Sequence, residues 1–377
     1  MTLLPGEMAS FTNPFFFESP SDRWSFTDRE VLTDQLLQLM TEQGRRLLVF
    51  GRRRMGKTSL IKNAAEKAKV TFIYCDISTA ANMSEVARKL MDEAPKEEGG
   101  RLSKALEIAG RYLKSVGVSA GKITITGELR PDDGSKTLEG VLNVLNERAA
   151  ENDEVWTVCL DEFQEIRALG GPRVDWQLRG IMQEHRNLNY LFTGSDHRIV
   201  GWMTEPTAPF FKQLQQMEVG PIAGDHMAHW IEKRAKIGGL PNFPYGEQIV
   251  AIAGPCTGDI VRLAKAVFSL AVGKAPKEII LTAFDSIGLI ELHAEFLNHW
   301  RALSINQRGV LRAIADGKQP TSSETLREYG FRATSTASTA VEALVDRQFL
   351  VRTNDGIIFD NPYFRRWVQF NGQPREQ

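Results

Sequence analysis

The chain has 377 residues, 42% of them apolar and 25% charged, with a formal net charge of −1. That length exceeds one ordinary core and suits two or three domains, in the balance of a soluble globular protein. So small a total charge gives no support for nucleic acid or membrane as a bulk partner, although a local basic patch can hide inside it.

The opening residues lack a charged segment followed by an apolar run, so no signal peptide is expected. No stretch approaches the ~20 apolar residues of a membrane helix. Cys75, Cys159 and Cys256 lie far apart without metal-ligand spacing. They read as small core residues in a reducing compartment, and a cytoplasmic protein is expected.

Residues 1–26 are aromatic and Pro-punctuated (Asn13-Pro14-Phe15-Phe16-Phe17, then Pro20), which suggests an extended arm lying on a domain. Over 30–43 the apolar residues Val31, Leu32, Leu36, Leu37 and Met40 recur at helical spacing, and Gly44 stops the helix. A strand over 47–50, a Gly-rich turn and a helix over 57–67 follow. A second strand is expected over 70–74, then helices near 83–94 and 102–115. The alternation Lys122-Ile123-Thr124-Ile125-Thr126 predicts a half-exposed ribbon. A helix near 137–150 leads to a third strand over 155–160, with a fourth over 190–193 and a fifth near 217–219. Short apolar strands alternating with helices indicate a parallel sheet covered on both faces.

After about residue 221 the pattern is helical only, near 224–236, 244–253, 258–272 and 276–300. From about residue 303 come three helices (305–315, 322–329 and one after Thr334). Two strands follow, 349–352 and 357–359, joined by Thr353-Asn354-Asp355-Gly356, and Asp-Gly is a strong hairpin signal. Three helices and a hairpin spell a winged helix-turn-helix.

The segment Gly51-Arg52-Arg53-Arg54-Met55-Gly56-Lys57-Thr58 fits G-x4-G-K-[ST] at every fixed position, between an apolar strand and an amphipathic helix. Its glycines let the backbone curl so that N–H groups converge on phosphate oxygens, with the helix N-terminus adding its positive end. Lys57 can reach β- and γ-phosphates, Thr58 can ligate Mg²⁺, and the nucleotide contacts extend through Ser59. Arg52, Arg53 and Arg54 read first as interface or solvent charges and second as nucleotide contacts.

The second half of the site is the apolar strand ending in Leu160-Asp161-Glu162. Asp161 at the C-terminal edge of a buried strand is placed to hold Mg²⁺, and Glu162 to orient or deprotonate water. The alternative is a solvated acidic pair capping the next helix. An additional core strand over 70–74 sits between the P-loop and the acidic strand, and a Glu directly follows the Asp. Both features point to the additional-strand P-loop class. No Asn-Lys-x-Asp motif for guanine is present, so ATP is favoured. The fourth strand ends in Thr193-Gly194-Ser195, and in this class that strand tip sits between the P-loop and the acidic strand, so its hydroxyls are candidates for contact with the γ-phosphate or water, the plainer reading being a Gly-Ser turn. His226 and His229 share a helical spacing but have no third ligand near them in sequence.

Together these residues resemble the archaeal-type ATPase family, a STAND-like branch of the AAA+ proteins. The matching segments are Asn13-Pro14-Phe15, Phe26-Thr27-Asp28-Arg29-Glu30, the strand and P-loop over 50–58, Leu160-Asp161-Glu162-Phe163-Gln164, Thr193-Gly194-Ser195, and Asp360-Asn361-Pro362-Tyr363-Phe364-Arg365-Arg366-Trp367. The resemblance covers most of the chain. It implies a P-loop core with an N-terminal arm over 1–221, an all-α lid over 222–300 and a winged helix over 301–377. It also implies Arg29 beside the base or ribose, and ATP used as a switch. Two places depart from the pattern: Asp28 stands for the usual Gly before Arg29, and Phe210-Phe211-Lys212 stands where an arginine is expected. Lys212 offers a charge but no bidentate fork, which argues for slow hydrolysis. A solvated surface lysine is its plainer reading. Arg262 lies where lids present a phosphate-sensing arginine, an ion pair with Asp259 being the alternative.

For residues 301–377 two uses stand open, a protein-docking or autoinhibitory module and a DNA reader. The hydroxyl-rich start of the third helix (Thr334-Ser335-Thr336) suits phosphates or bases, but the region carries little excess positive charge. The expected partners are therefore a protein, or DNA, with homo-oligomerisation on ATP binding and no membrane.

Overall fold

In the computed structural model, residues 12–16, 27–113, 116–126, 134–195, 198–273, 276–353 and 356–372 are described. The chain divides into two units, residues 18–222 and residues 1–17 with 223–377.

In the first unit α1 (Glu30–Thr41) leads into β1 (Arg46–Phe50), and the P-loop turn joins β1 to α2 (Lys57–Ala68). Next come β2 (Phe72–Asp76), α3 (Met83–Glu93), α4 (Gly99–Tyr112), the hairpin β3 (Val116–Ser119) and β4 (Lys122–Ile125), and α5 (Gly134–Glu151). Then follow β5 (Trp156–Asp161), α6 (Ile166–Gly170), α7 (Val174–Glu184), β6 (Leu188–Gly194), α8 (Arg198–Thr204) and β7 (Gln215–Glu218). Five strands form one sheet in the order β2-β5-β6-β1-β7, every pair parallel. Every residue of β5 and β6 is buried, the pattern of central strands covered on both faces.

The sheet corrects one expectation. The strand at Phe72–Asp76 follows the P-loop in sequence but lies at the sheet edge, paired only with β5. The strand inserted in space between P-loop strand and acidic strand is β6, the fourth strand of the sequence, whose tip was expected there. Helices α6 and α7 were not foreseen. In α7 the residues Val174, Leu178, Ile181 and Met182 do recur at helical spacing, and three of them are buried in the core.

In the second unit, α9 (Gly224–Ile237), α10 (Gly246–Ala253) and α11 (Thr257–Val272) precede α12 (Ile279–Asp285) and α13 (His293–Arg301). The continuous helix expected over 276–300 is interrupted by a π-helical segment, Ser286–Glu291. Gly288 there lies so close to the Tyr363 backbone that a Cβ would stand 3.1 Å from its carbonyl oxygen, so the irregular turn admits a neighbouring helix. The remaining elements are α14 (Ile305–Ala315), α15 (Ser323–Glu328), α16 (Thr334–Asp346), the hairpin β8 (Leu350–Thr353) and β9 (Gly356–Phe359), and α17 (Pro362–Asn371). A Ser304–Gln307 capping box starts α14. Asn361 caps α17, with Pro362 in its first turn. Trp367 and Phe364 of α17 pack with Phe296 and Trp300 of α13 at ring separations of 5.1–6.5 Å. The hairpin turn residues Asn354 and Asp355 lie outside the described residues.

The N-terminal arm is a second correction. It was expected with the P-loop core, but Phe15 is fully buried against Trp230, Phe243 and Phe268 of the second unit. Asn13 Nδ2 donates to the carbonyl of Lys265 and to Ser269 Oγ, both at 2.9 Å, and Arg234 donates to the carbonyl of Pro14. An aromatic side chain carries enough apolar area to tether a short extended segment wherever a matching pocket exists. None of the described helices is long and apolar enough to cross a membrane.

A polar contact buried in the sheet unit responds to pH. His185, at the end of α7, accepts at Nδ1 from the Tyr190 hydroxyl and donates from Nε2 to Asn143 Oδ1 at 2.9 Å. Burial, aided by the Arg46 guanidinium, pulls the ring down to about 4. The unfolded chain takes up this proton near pH 6.5, so below that pH protonation favours the unfolded state. Lowering the pH from 7 to 5 is expected to cost about 2 kcal/mol of unfolding free energy from this ring alone. Urea titrations at the two pH values measure it, and His185→Gln should flatten the difference by that amount.

Candidate nucleotide-phosphate site

The loop between β1 and α2 takes its shape from backbone that few residues tolerate. Gly51 has φ +145°, and a Cβ there would stand 2.4 Å from the carbonyl oxygen of Val219, just past β7. Gly56, with φ +87°, caps α2 without a side-chain hydrogen bond, so the first-turn N–H groups have no side-chain cap. Arg54 is also left-handed, at φ +65°. Lys57 is buried, and its Nζ donates to the carbonyls of Gly51 (2.8 Å) and Arg52 (3.0 Å). The ammonium thus spans the mouth of the loop.

Asp161 ends β5 and is 6% exposed. Four donors converge on its carboxylate. The Thr193 hydroxyl of β6 and the Glu162 N–H reach Oδ1, and the Thr58 hydroxyl of α2 (3.3 Å) and the Tyr74 hydroxyl of β2 reach Oδ2. Burial, then the bond to Asp161, raises the Tyr74 hydroxyl far above its ordinary range, so it remains a donor.

Glu162 has a left-handed backbone, φ +53°. The following residue, Phe163, is fully buried, with its ring 4.5 Å from that of Phe192 and also packed against Phe210. That anchor turns the Glu162 side chain away from the strand. Its carboxylate accepts from Ser195 Oγ (2.9 Å) and from Gln164 Nε2. Ser195 in turn accepts from Arg53 Nε of the loop at 3.4 Å. The structure therefore brings Lys57, Thr58, Asp161, Glu162, Thr193 and Ser195 together at the C-terminal edge of the sheet. In open α/β sheets this edge receives ligands.

Arg29 lies beside the loop, φ +113°, and donates to the carbonyls of Met55 (3.2 Å) and Gly220 (2.7 Å). Ser59 continues α2, its carbonyl accepting from Asn63. Lys212 is exposed, with its ammonium over the Phe211 ring. Arg262, in the other unit, pairs with Glu291. Two members of the cluster were missed in the sequence, Tyr74 and Gln164. A tyrosine inside an apolar strand reads as core, and only the register Asp76 opposite Asp161 carries Tyr74 to the acid.

Residues 294–370 match the model of a family described as "Probable winged helix domain". No sequence among the curated proteins matches the chain. Among solved structures, a Walker-type ATPase of Pyrococcus abyssi superposes with a TM-score of 0.66 at 18% identity, covering 94% of this chain and 99% of its own. The fold is that of the Walker-type P-loop ATPases. The Orc1 protein of Aeropyrum pernix, solved in complex with DNA, follows at TM-score 0.51 and 15% identity, covering 92% of this chain and 93% of its own. The Orc2 protein of the same organism, solved with ADPNP and ADP, has TM-score 0.50 and 16% identity, covering 94% and 97%. In this Walker-type fold the additional strand is β6, the parallel sheet is followed by an all-helical region, and the chain ends in a winged helix.

The Gly51 contact yields a test. Gly51→Ala forces both a disfavoured φ and a clash with main chain, and should destabilise the protein by about 2 kcal/mol or more. Thermal melting checks it, with Gly44→Ala as comparison, because Gly44 shares a positive φ but has open space around it.

Proposed function

We propose that the chain binds ATP with Mg²⁺ and hydrolyses it slowly, as a STAND-like switch acting on a protein partner. The observation that carries this reading is the convergence of Lys57, Thr58, Asp161, Glu162 and Thr193 on one strand edge. The residues suit the ligands. The loop is a glycine cradle with an uncapped helix N-terminus and one ammonium, the donor set for phosphate oxygens. Asp161 and Thr58 offer hard oxygen ligands for Mg²⁺, directly or through water. Bound there, Mg²⁺ would neutralise charge developing on the phosphates. Lys57 would leave the two loop carbonyls for the β- and γ-phosphates. Thr193 and Ser195 would contact the γ-phosphate or the water, and Glu162 would orient that water or take its proton.

Slow turnover follows from two features. Glu162 is engaged by Ser195 and Gln164 instead of facing an open site. The position before β7 holds an exposed lysine where a bidentate arginine would stabilise the leaving charge. Glu162→Gln should lower ATP turnover about 100-fold or more while ATP still binds. Steady-state phosphate release and equilibrium nucleotide binding test this together. If both are untouched, the role given to Glu162 is wrong.

A DNA-acting ATPase is the second reading. The start of α16 has no side-chain cap and exposes Arg332, Thr334 and Ser335. One structural neighbour was solved on DNA. Gel-shift titrations across salt concentrations separate the readings. The switch predicts no duplex binding even at low salt. Retardation that is salt-sensitive and ATP-dependent would favour the DNA reading.

A further inference from the structure

We propose that β9 is a docking edge for an extended, acidic peptide segment of a partner protein, added to the β8–β9 hairpin as a third strand. The hairpin register fixes which backbone groups are available. The Asp360 N–H donates to the Phe349 carbonyl, so the hydrogen-bonded pairs that follow are 351 with 358 and 353 with 356. Ile357 and Phe359, at the intervening positions, turn their N–H and C=O groups away from β8. None of these four groups has a backbone hydrogen-bond partner among the described residues, and β9 pairs with no strand but β8. The strand reads Gly356-Ile357-Ile358-Phe359, with Ile358 42% exposed. It carries neither the charge nor the proline that commonly blunts a strand edge.

A groove of about 460 Å³ is lined by β9, the loop over 317–321, Ile314 and Arg365. That volume lies in the range of about 300–1,000 Å³ typical of ligand clefts. The loop does not close on the strand, because no backbone hydrogen bond joins them and Pro320 has no N–H to offer. An extended segment lying in the groove would pair with the outward groups of Ile357 and Phe359, the mode of strand addition.

Charge selects the segment. The lining holds Lys318 and Arg365 and no carboxylate. Lys318 is paired with Glu328. Arg365 is exposed and has no carboxylate partner among the described residues, its Nη2 donating to the Ala315 carbonyl at 3.4 Å. A guanidinium has five N–H donors, so a peptide carboxylate has donors to meet there. Nucleic acid fits this edge less well. Phosphates only accept hydrogen bonds and would leave the outward carbonyls facing negative charge, whereas a peptide backbone brings both donors and acceptors.

The proposal rests on the reading of a protein partner and names that partner's chemistry. Phage-displayed random heptapeptides panned against the full chain without nucleotide test it, so that failure here leaves ATP turnover as a separate question. The expected result is enrichment of peptides with alternating apolar residues and at least one Asp or Glu. Fluorescence anisotropy of an enriched peptide should then weaken about tenfold or more with Arg365→Glu and with Ile357→Pro. Proline at 357 removes an outward N–H and no bond to β8, so the hairpin ladder stays intact. Should that variant melt early, N-methylation of the peptide decides on the unaltered chain. Methyl groups on alternate amides should abolish binding, and those on the intervening amides should not. No enrichment, no acidic preference, or indifference to both the Arg365 change and the methylation pattern would overturn the docking edge. Displacement of the peptide by random-sequence duplex DNA would also overturn it, assigning the groove to nucleic acid.

Discussion

A buried carboxylate at the end of a central strand must be matched by donors, and Asp161 draws them from every side. Thr58 reaches it from α2, Tyr74 from the edge strand, Thr193 from the inserted strand, and the Glu162 N–H from its own chain. Removing a charge from water is expensive unless its lone pairs are all engaged, so this one residue ties four elements to a common point. The sheet register follows the same demand, with Asp76 opposite Asp161 and Leu160 opposite Phe192. The hydroxyl donors also fix the orientation of the acid.

Around that point the backbone departs from ordinary geometry. Arg29, Gly51, Arg54, Gly56 and Glu162 all have positive φ, and all border the loop or the acid. Such conformations cost of order 1–3 kcal/mol each for side-chain-bearing residues and persist only where the surroundings over-determine them. Here the determining contacts are identifiable. The Val219 carbonyl excludes any side chain at position 51, Phe163 locked among aromatic rings sets Glu162, and two carbonyls hold Arg29. The scaffold thus spends stability to aim N–H groups and carboxylates at one volume.

The second unit is held by a different currency, aromatic burial. Phe15 closes one cluster with Trp230 and Phe268, and Trp367 and Phe364 close another with α13. Tyr363 adds a buried hydrogen bond to the Asp259 carbonyl, and Arg366 pairs with Asp285 through two nitrogens. These contacts bind the winged helix to the helices before it within one unit.

Periodicity and motif spacing in the sequence alone determined the strands and most helices, the P-loop, the acidic strand end and the winged-helix order, because each depends on residues adjacent in the chain. Glycines at 51 and 56 and the pair Asp161-Glu162 are local signals of this kind. Four things were left to the tertiary structure: the edge position of the Phe72–Asp76 strand, the unit on which Phe15 rests, the break within 276–300, and the presence of Tyr74 at the site. Each is a contact between segments far apart in sequence. A tyrosine's hydroxyl has the same local pattern whether it meets solvent or a carboxylate, and strand order is chosen by packing that no single segment contains.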